Sequence, residues 1–202
     1  MELDRDGISR ARRTWFDGIV YRSQTEARWA VFFLHMEIEF EYEEEDFDLD
    51  GLWYRPDFWL PSQNCWIEVK GPFPTQKERE KARRLAAQTG KNVYISFGDI
   101  PEPNLEDESS CTLSSLVFFP DGSEDEYFWW CDCPHCGTLG LQFEGRAACL
   151  PCGCLGGSGS PSDRANCYYS PRLLRAYLAA READTYRQSE ECDVLVEAQH
   201  HV

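Results

Sequence analysis

Apolar and polar residues alternate with a period of two in several short runs of this chain. In the run Cys65–Lys70, Cys65, Ile67 and Val69 are apolar and share one face. Glu68 and Lys70 lie on the opposite face with Trp66. Because side chains alternate across a strand, the run predicts a strand with one apolar face and one face that presents an acid and a base. Glu39–Glu43 alternates in the same way and predicts a second, half-exposed strand.

The segment 23–34 follows a helical period instead. Ser23 and Glu26 form the Ser-x-x-Glu pattern of a capping box at its start. Glu26 also opens an i, i+3, i+4, i+7 series that ends at Phe33, which is the spacing of a buried helix face. Capping alone explains Glu26, yet an acid at the end of a buried face also suits a functional site, and the two roles are compatible.

The elements that follow complete a mixed pattern. Asp50-Gly51 predicts a hairpin turn between two short strands. A second helix is predicted over 75–87, with a Thr-x-x-Glu capping box at its start and a stop at Gly90. A β-rich run at 92–97 comes next. The order α-β-β-β-α-β predicts an α/β fold of mixed α+β type, in which helices flank a mixed sheet.

The chemistry-bearing residues cluster on the strands of this predicted core. Asp57 is followed by Glu68 eleven residues later and then by Lys70. Two acids beside a lysine, on neighbouring strands, can hold Mg²⁺ or Mn²⁺ and organise a water molecule against a phosphodiester. The alternative is an ordinary surface ion pair between Glu68 and Lys70, with Asp57 as a turn residue after Pro56.

The order of motifs resembles a known enzyme family. The chain has a helix with Ser-x-x-Glu, a strand, a strand ending in Pro-Asp-Phe, a strand Ile-Glu-Val-Lys-Gly, and then a helix and a strand. This order is similar to the PD-(D/E)XK nuclease superfamily over residues 21–97. Within it, the branch of transposon-end endonucleases and junction resolvases is the most similar. The resemblance implies a restriction-endonuclease-like αβββαβ core at 21–100 and an endonuclease that acts on DNA, duplex or branched.

The same resemblance implies roles for individual residues. The implied catalytic residues are Glu26, Asp57, Glu68 and Lys70. Asp57, Glu68 and the Val69 carbonyl are the implied ligands of Mg²⁺ or Mn²⁺, and Lys70 would orient the attacking water or stabilise charge on the phosphate. Glu26 would complete the metal site, directly or through water. The residues themselves do not separate DNA from RNA as substrate.

A second motif predicts a structural metal. Two Cys-x-x-Cys-Gly knuckles stand twelve residues apart, and each delivers two thiolates to one tetrahedral Zn²⁺. The predicted zinc ligands are Cys133, Cys136, Cys149 and Cys152, in an arrangement that resembles a zinc ribbon. Cys131 and Cys154 flank the knuckles, and either is an alternative ligand. His135 is a further one.

The rest of the chain divides by composition. The predicted units are an N-terminal arm at 1–20, an acidic connector with a β-hairpin at 101–130, the zinc ribbon at 131–155, and a flexible linker, helix and disordered tail at 156–202. Ser170-Pro171 has the chemistry of a helix start and precedes an amphipathic pattern.

Composition sets outer limits on location and size. With 202 residues the chain can bury one full core and a small metal-stapled unit. It has neither an apolar run long enough for a membrane span nor the apolar core of a secretory signal. Cysteines clustered in knuckles favour a reducing compartment, so the predicted location is the cytoplasm.

Charge favours a second class of function. The net charge is −16, and the segment Glu37–Asp50 alone carries nine acids. DNA repels such a molecule, so delivery of DNA would need the zinc ribbon, a homodimer or a protein partner. The basic residues at 77–84 form either a DNA-facing or a solvated helix face. The rival hypothesis is a non-catalytic, acidic nuclease-fold protein that binds or regulates a basic partner.

Overall fold

The computed structural model describes residues 13–103, 114–143, 152–154, 167–183 and 186–187. The strands are β1 (Thr14–Phe16), β2 (Ile19–Tyr21), β3 (Glu41–Tyr42), β4 (Phe47–Asp48), β5 (Trp53–Tyr54), β6 (Phe58–Leu60), β7 (Cys65–Lys70), β8 (Asn92–Phe97), β9 (Ser114–Phe118), β10 (Glu124–Glu126), β11 (Phe128–Asp132), β12 (Leu139–Phe143) and β13 (Tyr186–Arg187). The helices are α1 (Gln24–His35), α2 (Gln76–Thr89) and α3 (Pro171–Glu182). The predicted linker, the C-terminal tail, most of the N-terminal arm and Cys149 lie outside the described residues.

A six-stranded mixed sheet forms the centre of the molecule, in the order β10-β9-β8-β7-β6-β3. Strands β7 and β8 are parallel, joined through α2, and every other neighbouring pair is antiparallel. The expectation of a mixed α+β protein with a mixed sheet is therefore confirmed. The sheet continues past residue 100, because β9 pairs with β8 from Val93 to Phe97 and forms a hairpin with β10.

Each face of the sheet is covered by helix, as the alternation of apolar side chains dictates. Ile67 and Val69 of β7 pack on one side with α1 and α3, where Phe32 and Tyr177 stack with ring centroids 4.6 Å apart. Trp66 points to the other side, where α2 packs through residues such as Leu85. The result is a helix–sheet–helix sandwich with a core on both faces of the sheet.

The helix boundaries follow the capping chemistry of the sequence. The Ser23 side chain caps α1 by accepting from the Glu26 N–H, and Thr75 and Glu78 form a complete capping box on α2. Helix α2 extends to Thr89, two residues beyond the predicted end, and closes on Gly90, whose positive φ of 67° a glycine adopts at little cost.

Two predicted strands are shorter than their sequence patterns. The run 39–43 forms a strand only at β3, because Glu37 and Glu43 adopt positive φ values of 56° and 49° on either side of it. The run 124–130 divides into β10 and β11 at Tyr127, whose φ is 64°. A left-handed residue turns the backbone out of the extended conformation, and the apolar alternation carries no sign of it.

Helix α3 ties the zinc-knuckle hairpin β11–β12 to the core. Its N-cap Ser170 accepts from the Leu173 N–H and donates to the buried Asp132 at 2.9 Å. Arg172 donates to the Met36 carbonyl at the end of α1, at 2.8 Å. Trp130 is buried and its ring contacts Phe32 and Phe33 of α1, so it packs the hairpin onto the core. Among the residues described, no helix combines the length and the apolar character needed to cross a lipid bilayer.

Candidate functional site

Asp57 and Glu68 form a buried pair of carboxylates at the centre of the candidate site. Antiparallel pairing of Phe58 with Ile67 brings the residue before β6 beside the middle of β7. Asp57 Oδ2 accepts the Val69 N–H at 2.7 Å, and Glu68 Oε2 accepts the Asp57 N–H at 3.3 Å. Asp57 is fully buried and Glu68 nearly so. The sheet therefore interlocks the two acids through backbone amides rather than leaving them at the surface.

Lys70 lies at the open end of this pair. Its Nζ is 2.6 Å from Glu68 Oε1 and 3.4 Å from Glu78 Oε1 of the α2 capping box. Burial alone would lower the pKa of Lys70, but Glu68 and Asp57 outweigh burial and leave that pKa raised. Lys70 therefore stays cationic, with its amine between the buried acids and solvent.

Tyr54 is a residue of the site that the sequence did not indicate. Its hydroxyl donates to Glu68 Oε2 at 2.8 Å from the β4–β5 hairpin. Burial, followed by the charges of Glu68 and Asp57, raises the pKa of Tyr54 well above its usual value, so the phenol remains a donor. The Tyr54 hydroxyl thus fixes one oxygen of Glu68, while Lys70 contacts the other.

Glu26 is both a helix cap and a member of the acid cluster. Its Oε1 accepts the Ser23 hydroxyl at 2.7 Å, and its Oε2 accepts the Tyr42 hydroxyl at 2.5 Å and the Arg22 N–H at 3.2 Å. The side chain is buried, as the helical pattern predicted. Both roles that the sequence left open for Glu26 are therefore compatible with its position.

Arg22 joins Glu26 to Asp57, and the sequence did not indicate it either. Its Nη2 contacts Asp57 Oδ1, and its Nε lies 2.7 Å from Glu43 Oε1 and 3.8 Å from Glu26 Oε2. Burial acts to lower the pKa of Arg22, but the three acids, Asp57 first, leave it raised. The guanidinium thus supplies positive charge that compensates this group of carboxylates.

The environment of Asp57 disfavours its charged form. Burial, followed by repulsion from Glu68 and Glu26, raises the pKa of Asp57 well above its ordinary value, although Arg22 and Lys70 act in the opposite direction. A carboxylate that is costly to ionise in the free protein gains from a cation placed beside it. The site therefore favours binding of positive charge at Asp57 Oδ1, where Arg22 lies.

The donor set suits Mg²⁺ in chemistry, since Mg²⁺ prefers oxygen ligands and is held by one or two carboxylates. The carboxylate oxygens of this site are not all close enough together to surround one ion. Among the described residues, the only group of three or more His, Cys, Asp or Glu ligand atoms within 4.8 Å of one another is made of cysteines. Asp57 and Glu68 would hold the ion, and the Val69 carbonyl as third ligand remains a prediction.

The cysteine group lies at the β11–β12 hairpin and fits one zinc ion. The four sulfur atoms of Cys133, Cys136, Cys152 and Cys154 all lie within 4.8 Å of one another. Tetrahedral Zn–S bonds of about 2.3 Å require sulfur atoms to be roughly 3.8 Å apart, which this spacing accommodates. Three of the predicted ligands are thus brought together. Cys149 lies outside the described residues, and Cys154, named as an alternative, supplies the fourth sulfur.

Local hydrogen bonding prepares one of these thiols for a metal. Cys136 Sγ is 3.2 Å from Thr138 Oγ1, and the Thr138 side chain and backbone lower the pKa of Cys136 to about 6. The thiolate is the form that binds a metal. Cys131, the other alternative ligand, is buried outside the group, and burial raises its pKa. His135 does not belong to the group either.

Comparison with known proteins adds no relative. No protein-family model matches the chain, and no curated protein and no solved structure matches it. Any function of the chain therefore has to follow from the geometry and chemistry of the site.

Proposed function

We propose that this protein is a divalent-metal-dependent endonuclease of PD-(D/E)XK type that hydrolyses phosphodiester bonds of DNA. The observation that supports the proposal most directly is the interlocked, buried pair Asp57 and Glu68 with Lys70 at its open end. Burying two acids side by side is costly unless a cation compensates them. A purely structural role does not need this arrangement, whereas metal-dependent phosphodiester hydrolysis does.

The charge balance of the cluster supports cation binding. The acids that contact one another or its cations are Glu26, Glu43, Asp57, Glu68 and Glu78, and the cations are Arg22 and Lys70. The acids outnumber the cations, so a bound divalent ion would reduce the excess of negative charge. Binding requires the Arg22 guanidinium to leave Asp57 Oδ1, and the released guanidinium then faces solvent beside the site, where a phosphate would lie.

Each side chain has a defined task in the proposed reaction. A bound divalent cation supplies Lewis acidity, easing the deprotonation of water and neutralising charge on the phosphate. Asp57 and Glu68 hold that cation, and the Tyr54 hydroxyl fixes the orientation of Glu68. Lys70 places a positive charge where negative charge develops on the phosphate, and it orients the attacking water.

The cysteine group supports a separate, structural zinc site. All four donors are thiols, so no coordination position is left for a substrate. The ion would join the β11–β12 hairpin to the segment 152–154, which otherwise has little apolar core of its own. We propose that zinc stabilises this unit and takes no part in the hydrolysis.

A non-catalytic binding or regulatory protein is the second candidate, and one observation favours it. Arg22 already neutralises part of the acid cluster without a metal ion, as in a site that has turned into a structural ion-pair network. The net charge of −16 is also better suited to a basic partner than to DNA. An RNA-directed nuclease would use the same residues, and RNA is accordingly a substrate to test beside DNA.

Metal binding separates the two candidates. We expect zinc-loaded protein to bind Mn²⁺ in titration calorimetry, and Asp57→Asn to abolish the binding while thermal unfolding shows an intact fold. Arg22→Gln should bind Mn²⁺ more tightly, because the ion no longer competes with the guanidinium for Asp57. The matched control Arg55→Gln removes a cation outside the acid cluster and should bind as wild type does. Absence of Mn²⁺ binding in both wild type and Arg22→Gln would favour the binding protein.

A further inference from the structure

An open groove lies directly beside the candidate active site. Its volume is about 550 Å³, and its lining includes Arg22 and Tyr54 of the site itself. The remaining lining includes Arg13, Arg55 and Trp53. The groove is therefore lined by two residues that contact the candidate site directly, since Arg22 contacts Asp57 and Tyr54 contacts Glu68.

The charge of the groove contrasts with that of the whole molecule. Three arginines, Arg13, Arg22 and Arg55, line it against two acids, Glu43 and Asp46. Arg55 is held by Asp46 through its Nε at 2.8 Å and through Nη2, and Arg22 is held by Glu43. On a chain of net charge −16, a concave surface with an excess of arginine is a local exception. Planar guanidinium groups held in place by acids are suited to phosphate oxygens.

Trp53 provides a second, independent feature of the groove. Trp53 and Tyr54 are neighbours on β5 and point to opposite sides of the hairpin: Tyr54 reaches inward to Glu68, and Trp53 remains 66% exposed. The hairpin is rigid, because Phe47 and Tyr54 are part of the core. Asp48 also accepts the Gly51 N–H at 2.6 Å in its turn. The Trp53 indole is thus an exposed aromatic surface on a hairpin that is packed against the core, and its neighbour Tyr54 belongs to the candidate site.

We infer that this groove binds a single-stranded segment of DNA next to the scissile phosphate, with an unpaired base stacked on Trp53 and phosphates on Arg13 and Arg55. The inference rests on the proposed nuclease function and narrows its substrate class to DNA with unpaired nucleotides, such as forks and flaps. Inside a duplex the faces of a base are covered by its neighbours, so an indole can stack only on a base that has left the helix.

The arrangement also accounts for how an acidic protein holds DNA. Stacking on an aromatic side chain is not electrostatic attraction, so the net negative charge of the protein does not oppose it. The arginines add short-range contacts to phosphate, and these contacts weaken as the salt concentration rises. Discrimination against duplex then follows from the overall negative charge, which repels the higher charge density of double-stranded DNA. Single-stranded DNA is favoured because it offers exposed bases as well as phosphates.

The test measures binding rather than cleavage. Fluorescence anisotropy compares three labelled DNA probes of matched sequence at low salt, without added divalent metal: a single strand, a blunt duplex and a fork. We expect wild type to prefer the single strand and the fork. Trp53→Ala should weaken binding of both by about 5- to 150-fold, the effect of losing one base–aromatic stack, and leave duplex binding unchanged. Trp53→Phe retains an aromatic face and should restore most of the affinity.

Matched control variants outside the groove show whether the loss of any exposed apolar or basic side chain would weaken DNA binding in the same way. Leu34→Ala removes another exposed apolar side chain, 44% exposed and outside the groove lining, and should bind as wild type does. Arg13→Gln should reduce the dependence of fork binding on salt concentration, whereas Lys77→Gln on the exposed side of α2 should not. Thermal unfolding of each variant checks that the fold is intact.

The outcomes distinguish this inference from the proposed function. Equal fork binding by wild type and Trp53→Ala, or equal losses on fork and duplex, would overturn the inference, as would a wild-type protein that prefers duplex. If fork binding depends on Trp53 but no metal supports cleavage, the binding site stands and the nuclease fails. If wild type and Trp53→Ala cleave duplex DNA at the same rate, and wild type cleaves forks no faster than duplex, the nuclease proposal stands and this inference fails.

Discussion

At the scale of single residues, the site is built from side chains that satisfy one another. Glu68 has Lys70 on one oxygen and Tyr54 on the other, and Asp57 has an amide on one oxygen and Arg22 on the other. Such a network is stable without metal, and Arg22 is the member whose departure opens it. These contacts offset part of the cost of burying two acids side by side.

That cost predicts a pH dependence of stability. The folded protein binds the Asp57 proton more tightly than the unfolded chain, where the pKa is about 3.9, because burial and Glu68 raise the folded pKa. This contribution to stability is complete below the unfolded pKa and is lost as pH rises through the folded pKa. The variant Asp57→Asn does not titrate at this position, so its stability does not change with pH through this group. The difference in melting temperature, variant minus wild type, should therefore grow in favour of the variant as the pH rises above the unfolded pKa of about 3.9, without divalent metal.

Asp46 provides the control for this measurement. It is exposed, and its hydrogen bonds to Arg55 lower its pKa, so its contribution to stability is already complete above the unfolded pKa. The melting difference between Asp46→Asn and wild type should be constant over the same pH range. A constant difference for Asp57→Asn as well would show that Asp57 is not held in a disfavoured charged state.

At the scale of elements, short hairpins position most of the functional chemistry. The β4–β5 hairpin was predictable from its Asp50-Gly51 turn, and both residues adopt the positive φ values that such a turn requires. The contact of this hairpin with Glu68 through Tyr54 was not predictable from the sequence, because it depends on how the hairpin packs over the sheet. The same holds for the β11–β12 hairpin, where the knuckle spacing predicted a metal site but could not decide among nearby cysteines.

Zinc content of cysteine variants tests the ligand set of this second hairpin. Wild type should contain about one zinc per chain, as expected for a four-thiolate site. Cys154→Ser and Cys152→Ser should lose zinc and melt at lower temperature, because structural zinc contributes folding energy directly. Cys131→Ala should retain zinc, since its thiol is buried outside the group. Zinc loss in Cys149→Ser combined with full zinc in Cys154→Ser would contradict Cys154 as the fourth ligand.

At the scale of the whole molecule, several acids of the described residues are engaged in ion pairs and turns. Within the run 37–50, Glu43 binds Arg22, Asp46 binds Arg55 and Asp48 closes a turn. The basic helix α2 is paired in the same way. Arg79 and Arg83 contact Glu124 of β10, and Arg84 contacts Glu80. The arginines of α2 are therefore paired with acids in the same way as Arg22 and Arg55, and pairing by itself favours neither a solvated nor a DNA-facing role for α2.

The sequence predicted the local elements better than their assembly. Capping boxes and alternation located α1, α2 and β7, because those signals lie within a few residues of one another. The pairing of β9 with β8 joins distant parts of the chain, and nothing in either run specifies the other. The sequence did not indicate Arg22 for the same reason. Arg22 precedes a helix cap, and its partners Glu43 and Asp57 are distant in the sequence and come close only in the folded protein.

Metal-dependent cleavage of supercoiled plasmid and of a forked DNA decides whether the buried acid pair is a nuclease site. At low salt with Mg²⁺ or Mn²⁺, wild type should nick both, Asp57→Asn should be inactive, and Lys70→Ala should be slower by about 10²–10³-fold. The matched controls Asp125→Asn and Lys77→Ala alter exposed residues of the same types and should cleave as wild type does. Cleavage by Asp57→Asn at the wild-type rate, or no cleavage by folded, zinc-loaded wild type with either metal, would contradict the proposed nuclease.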